Sequence, residues 1–273
     1  MQQIVSELTF WNQEKPGSIG DLSPWVDLRV PPAPVLESIV EPQTHPRFLK
    51  THLPFDAYAP YLNPEGKYIY VGRDGRDAFM SLANHFEKAN DNWYAAMNES
   101  PGRVGPPIPH YSDVVANGLP VWFDQWLSEG WETLPESDGW PFWSLFKNTQ
   151  TWWEYGQANP ERVLFVHFNN LLGDLPKEIK RIGNFLGIEV DDEMAKYITK
   201  ATSFDSMKQS ADKSAPLNGG LWTGGGDSFI FKGTNGRWKG VLTDENLAAY
   251  ERKVKQELTP DCAKWLERGE LPC

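Results

Sequence analysis

The 273-residue chain reads as an α/β protein built on a parallel sheet. Three observations predict this. Short apolar runs rich in β-branched and aromatic residues recur along the chain, as strands require. Helical periodicities lie between and after them, the alternation that produces parallel sheets. The runs are nearly continuous rather than alternating, the pattern of strands covered on both faces. No repeat or low-complexity tract interrupts the order, so residues 1–273 are expected to form one domain, with a Trp-rich insertion around 88–160.

Taken in order, Ile4, Val5, Leu8 and Trp11 share one helical face, so residues 1–12 read as an amphipathic helix. No capping Ser, Thr, Asp or Asn precedes it, so either its first turn frays or the sequence begins inside an element. Residues 13–45, rich in Pro, Gly and Ser, predict an irregular excursion with short helical pieces. Strands are expected at 47–52, 67–71 and 163–168, and a helix at 77–86. Seven of the 13 tryptophans fall between Trp122 and Trp153. They form either a buried aromatic subcore, the reading burial statistics favour, or an aromatic-lined substrate cavity beneath a lid. Pro176 opens a helix carrying Ile179, Ile182, Phe185 and Leu186, and Gly187 closes it. Thr243, Asp244 and Glu245 begin another, with Leu247, Tyr250, Val254 and Leu258 inward.

Composition narrows the function classes. The balance of 26 basic against 37 acidic residues gives a net charge of −11, which argues against a general nucleic-acid or anionic-membrane binder while leaving room for a local basic pocket. Two cysteines, Cys262 and Cys273, exclude a disulfide framework and a clustered-cysteine zinc site. No apolar run approaches the ~18 residues of a spanning helix, and no signal-peptide pattern opens the chain. A soluble cytoplasmic protein is expected.

Three stretches carry possible chemistry. Lys50 and His52, two apart at a strand end, point to one side: an imidazole suited to general base work beside a cation for a developing anion, or a solvated rim. Arg73 follows the second strand and faces a helix start that carries Ser81, which makes a phosphate site, unless Arg73 pairs with Asp74 or Asp77. Residues 231–240 combine three glycines with three cations, a loop whose amides could wrap an anion, or an ordinary glycine-rich turn.

In combination and in order, "HPRFLKTHLP", "KYIYVGRDGRDAFMSLANHF", "ATSFDSMK" and "FKGTNGRWKG" resemble the cytosolic-type sulfotransferases, over Met1 to about Tyr250. The resemblance implies a P-loop-kinase-like three-layer fold with a central parallel sheet. It also implies 3′-phosphoadenosine-5′-phosphosulfate (PAPS) as donor, with no metal. By position, His52 resembles the catalytic base and Lys50 the lysine that steadies the transferring sulfuryl group. Arg73 and Ser81 resemble the pair that grips the 3′-phosphate. Thr202, Ser203 and Phe204 match the segment that holds the adenine and nearby ribose-phosphate, and Met207 a methionine beside the nucleotide. Lys232 and Gly233 match the 3′-phosphate grip, and Phe86 an acceptor-pocket aromatic.

The departures are specific. Phe231 replaces an arginine of that grip, while Arg237 replaces an acidic residue. Phe168 stands where many members carry an adenine-contacting tyrosine, with Asn169 and Asn170 in place of an acidic pair. Asp244 and Ala248 break the family's dimer motif, so the family-style dimer is not expected. The strand and "PKSGTTW" loop that precede the first helix in the family have no counterpart here. The 273-residue chain is therefore expected to lack the 5′-phosphosulfate loop and to be marginal in stability and activity. The function expected is sulfuryl transfer to a hydroxyl or amine of a small aromatic or apolar acceptor, with no nucleic-acid or membrane partner. The alternative is a non-catalytic remnant that binds the desulfated nucleotide PAP or a protein partner.

Overall fold

The computed structural model describes residues 1–28, 30–103, 105–131 and 137–272. Helix Gln2–Thr9 is followed by the short helices Ile19–Leu22, Ala33–Val40 and Phe55–Tyr58. Strand β1, Tyr68–Gly72, leads into helix Gly75–Glu87, then helices Asp91–Glu99, Leu119–Ser128 and Phe146–Ala158. After strand β2, Val163–His167, come helices Leu175–Leu186, Asp192–Ala201, Phe204–Gln209, Asp244–Glu257 and Pro260–Arg268. The two strands pair in parallel, from Tyr68 opposite Val163 to Gly72 opposite His167. This is the α/β class the sequence predicts.

Two expectations need correction. Residues 47–52 do not form a strand: they contribute one parallel bridge, between Lys50 and Trp25. The Lys50 amide donates to Pro24 O and its carbonyl accepts from Val26 N, both at 2.9 Å. The partner segment contains Pro24, Pro31 and Pro32, and prolines lack the donors that would extend such a ladder. Nor is β1 covered on both faces. Val71 is 48 % exposed, and Tyr68, Ile69 and Tyr70 are half-buried, whereas β2 is buried nearly throughout. Among the described residues β1 pairs as a strand with β2 alone.

The chain packs as two compact units. The first comprises residues 1–51, 84–108 and 179–233. Its helix Gln2–Thr9 buries Ile4, Val5 and Leu8, without a side-chain cap at Met1. Helix Asp192–Ala201 buries Met194, Ala195 and Ile198, and its start is capped by Asp191. The periodicity of its stripe made helix Gln2–Thr9 readable in the sequence.

The second unit comprises residues 52–83, 109–178 and 234–273 and contains the sheet. Phe165 of β2 packs against Trp153 and Trp265, with ring centroids 5.0 and 5.1 Å away, and the two indoles lie 5.6 Å from each other. Phe79, fully buried, meets Trp122, Phe123 and Trp126 at 4.8–5.4 Å. Burying each such ring contributes on the order of 1.5–3 kcal/mol. Trp122, Trp126, Trp152 and Trp153 are all at most 4 % exposed, so this part of the Trp-rich stretch is core. Buried Asp138 accepts from Ser144 Oγ at 2.7 Å and from the amides of Leu145 and Phe146, where helix Phe146–Ala158 begins. Cys262 is buried with a free thiol, and Cys273 lies outside the described residues. Among the described residues no helix is long and apolar enough to cross a membrane.

Candidate active site

The candidate residues divide between the two units. In the second unit, β1 ends at Gly72, where a Cβ would stand 2.2 Å from the Trp265 ring; only glycine fits. Arg73 follows. Its Nε donates to Asn235 Oδ1 at 3.1 Å and its Nη2 to the Thr234 carbonyl at 2.7 Å. The guanidinium carbon lies 4.3 Å from the Phe168 ring centroid, a cation–π arrangement. Burial pulls the Arg73 pKa down and the charge of Asp77 opposes that pull.

Neither neighbouring carboxylate hydrogen-bonds Arg73. Asp74 is held by Arg76, whose Nη2 lies 2.5 Å from Oδ2. Asp77, 4 % exposed, accepts the amides of Gly236 at 2.9 Å and Arg237 at 3.2 Å. Two amides of the 231–240 loop are therefore committed to Asp77 rather than facing an anion. Helix Gly75–Glu87 starts where the Gly75 amide donates to the Tyr250 hydroxyl at 3.1 Å. Ser81, four residues after Asp77, lies on the same face and is exposed. The His52 ring stands 4.8 Å from that of Trp143, which is 37 % exposed, and its carbonyl accepts Asn148 Nδ2 at 2.5 Å.

In the first unit, Lys50 Nζ lies 4.0 Å from the Trp25 ring centroid. Burial lowers its pKa to about 8, against the pull of Asp27. Burial, then the charge of Lys50, lowers the pKa of His85, which packs against Trp222 and Phe229, to about 4. Thr202 is buried at the end of helix Asp192–Ala201, its hydroxyl donating to Ile198 O at 2.7 Å. Ser203 caps helix Phe204–Gln209, accepting from Ser206 N. Phe204 is 39 % exposed and lies against Gly233, while Met207 is half-buried and Lys232 exposed. Lys232 Nζ lies 5.0 Å from the Phe231 ring. Phe86 is fully buried against Trp93 and Tyr94.

The family model described as a sulfotransferase domain matches residues 1–261. The chain belongs to the sulfotransferase family.

This sulfotransferase is 27 % identical to the glycolipid sulfotransferase of Mycobacterium bovis (strain BCG / Pasteur 1173P2) over 98 % of its own length and 84 % of the relative's. It is 26 % identical to human sulfotransferase 1C2, over 81 % of the chain and 64 % of that protein. Among solved structures, retinol dehydratase in complex with androsterone and PAP superposes with a TM-score of 0.61 at 19 % identity, over 95 % of this chain and 76 % of that one. Mouse SULT7A1 complexed with PAP gives 0.59 at 19 % identity, over 85 % and 74 %. These structures share its fold.

Within the sulfotransferase, sequence reasoning missed Asn235 and Trp143. Asn235 precedes Gly236, a pair that signals a turn and conceals what the amide does. Trp143 was one tryptophan among many, and only its exposure separates it. Among the described residues no group of three or more His, Cys, Asp or Glu side chains is placed to hold a metal.

Proposed function

We propose that this sulfotransferase moves the sulfuryl group from PAPS to a hydroxyl or amine of a small aromatic or apolar acceptor in the cytoplasm, without a metal. His52 takes the acceptor proton as the acceptor oxygen or nitrogen attacks sulfur, and the bridging oxygen leaves with the 5′-phosphate. Lys50 steadies the transferring group. Arg73 and Ser81 bind the 3′-phosphate, as do Lys232 and Gly233. Thr202, Ser203, Phe204 and Met207 take the adenosine, and Phe86 belongs to the acceptor side. Catalysis of this kind rests on positioning and charge, as in phosphoryl transfer.

The observation that carries this reading is Arg73: a guanidinium at the carboxyl end of a parallel strand, held on three sides by neutral groups. Ligands of open α/β sheets bind at that end. The family match over 1–261 supports one sulfotransferase domain, and the PAP complexes of SULT7A1 and retinol dehydratase support the donor. The relative named for glycolipids adds a sugar hydroxyl on an apolar anchor to the acceptors worth testing. Asp244 and Ala248 favour a chain that does not use the family's dimer motif.

The test is transfer of labelled sulfate from PAPS to a panel of phenols, aliphatic alcohols, arylamines and glycolipids. Transfer to any class, lost in His52→Ala, supports the reading. PAP binding without transfer to any of them would favour the non-catalytic alternative.

A further inference from the structure

We infer that Asn235 and Asn169 are positioning residues that help hold the Arg73 guanidinium by uncharged contacts, so that it meets a phosphate with no carboxylate bonded to it. The inference rests on the phosphate-binding role proposed for Arg73.

Three sides of Arg73 are occupied. Asn235 Oδ1 takes Nε, the Thr234 carbonyl takes Nη2, and the Phe168 ring covers one face. An amide, a peptide carbonyl and a ring all attract a cation, yet none carries formal charge. A carboxylate in any of these places would form a salt bridge and cancel much of the field that a phosphate sees. The nearby carboxylates are engaged elsewhere, Asp74 by Arg76 and Asp77 by the amides of Gly236 and Arg237. Among the described residues Nη1 makes no hydrogen bond, which leaves its two donors for a ligand.

A primary amide can present its oxygen or its nitrogen, and here a row of bonds sets which. Asn235 Nδ2 donates to Asn169 Oδ1 at 2.6 Å, and Asn169 Nδ2 donates to the Arg268 carbonyl at 3.2 Å. The Asn169 backbone amide is itself fixed on His167 Nδ1 at 3.2 Å. Every side-chain donor in the row points away from Arg73 and every acceptor toward it. Turning either amide over would set donor against donor at Arg73 or at Asn235. The row ends on a peptide carbonyl, which cannot turn, so Asn235 keeps its oxygen toward Nε.

The test compares PAP binding by calorimetry, and KM for PAPS against kcat, in the full chain carrying Asn235→Ala, Asn235→Asp, Asn169→Asp or Arg73→Ala, with melting curves to check folding. Asn235→Asp keeps shape and acceptor but adds charge. It is expected to weaken PAP binding about tenfold or more and to raise KM with kcat little changed. Asn235→Ala, which loses the acceptor without adding charge, is expected to cost about threefold. Asn169→Asp keeps the acceptor for Asn235 and loses the donor to Arg268, with a loss of about threefold expected. Asn235→Asp also loses the donor to Asn169, and a purely structural role predicts that its loss of PAP affinity follows its fall in Tm rather than the added charge. The inference is overturned if Asn235→Asp binds PAP as well as Asn235→Ala does, or if Asn169→Asp binds as the parent does, while Arg73→Ala loses PAP. If Arg73→Ala binds PAP like the parent, or the parent binds none, the underlying phosphate reading fails instead.

Discussion

Gly233 lies against the ring of Phe204 so closely that a Cβ there would stand 2.6 Å from Phe204 Cδ2. Its φ of +61° is also one that side chains disfavour, at a cost of roughly 1–2 kcal/mol. Two independent constraints thus require glycine. Gly233→Ala should displace Phe204 and weaken PAP binding severalfold, with a modest fall in Tm. Titration of PAP against a folded Gly233→Ala protein checks this; affinity equal to the parent's would remove Phe204 and Gly233 from the nucleotide site.

Asp77 should matter more for stability than an ordinary surface acid. Its carboxylate satisfies two backbone amides, and leaving such donors without an acceptor costs roughly 1–3 kcal/mol each. Asp77→Ala should lower Tm by several degrees and weaken PAP binding, while Asp77→Asn, with one acceptor oxygen, should fall between. A Tm for Asp77→Ala within error of the parent would show that the 236–237 turn holds without it.

His52→Ala should abolish most sulfate transfer, since a general base contributes about 10²–10⁴-fold. PAP affinity should stay close to the parent's, because His52 acts on the acceptor. Steady-state turnover near the parent's at neutral pH would make His52 a rim residue.

Lys50 gives a pH signature. Burial holds its pKa at about 8 against an ordinary 10.5, so the unfolded chain binds more protons between those values. Stability contributed at this site should therefore rise with pH from about 8 toward 10.5 and stay flat below 8. The transfer rate should move the other way and fall as pH passes about 8, because the neutral amine no longer steadies the sulfuryl group. Lys50→Arg should keep its charge and lose that limb of the rate profile. A limb that persists in Lys50→Arg would assign the titration to another group.

How much was legible followed from range. Helices with a buried stripe and a local cap, such as Asp244–Glu257 behind Thr243, announce themselves within a dozen residues. The strand expected at 47–52 failed because pairing depends on a distant partner, here the proline-punctuated stretch around Trp25, which no local pattern reports. Arg73 was readable from its place after a strand. The pairing weighed for it, with Asp74 or Asp77, was resolved only by seeing both acids bonded to other groups. Asn169 stood out as a departure from the family pattern, but its bond to Asn235 was not readable, since 66 positions separate the two amides.

The packing of Trp265 beneath Gly72, and of its ring edge against His167, has a consequence for biosynthesis. The facing ends of β1 and β2 are roofed by helix Pro260–Arg268, which leaves the ribosome long after either strand. Until it emerges, the Arg268 carbonyl that anchors Asn169 does not exist, and the ground beside Arg73 stands open to water. A nascent chain arrested near residue 255 would carry its strands but lack this anchor. Protection by PAP against proteolysis should then appear abruptly during translation, once helix Pro260–Arg268 has docked.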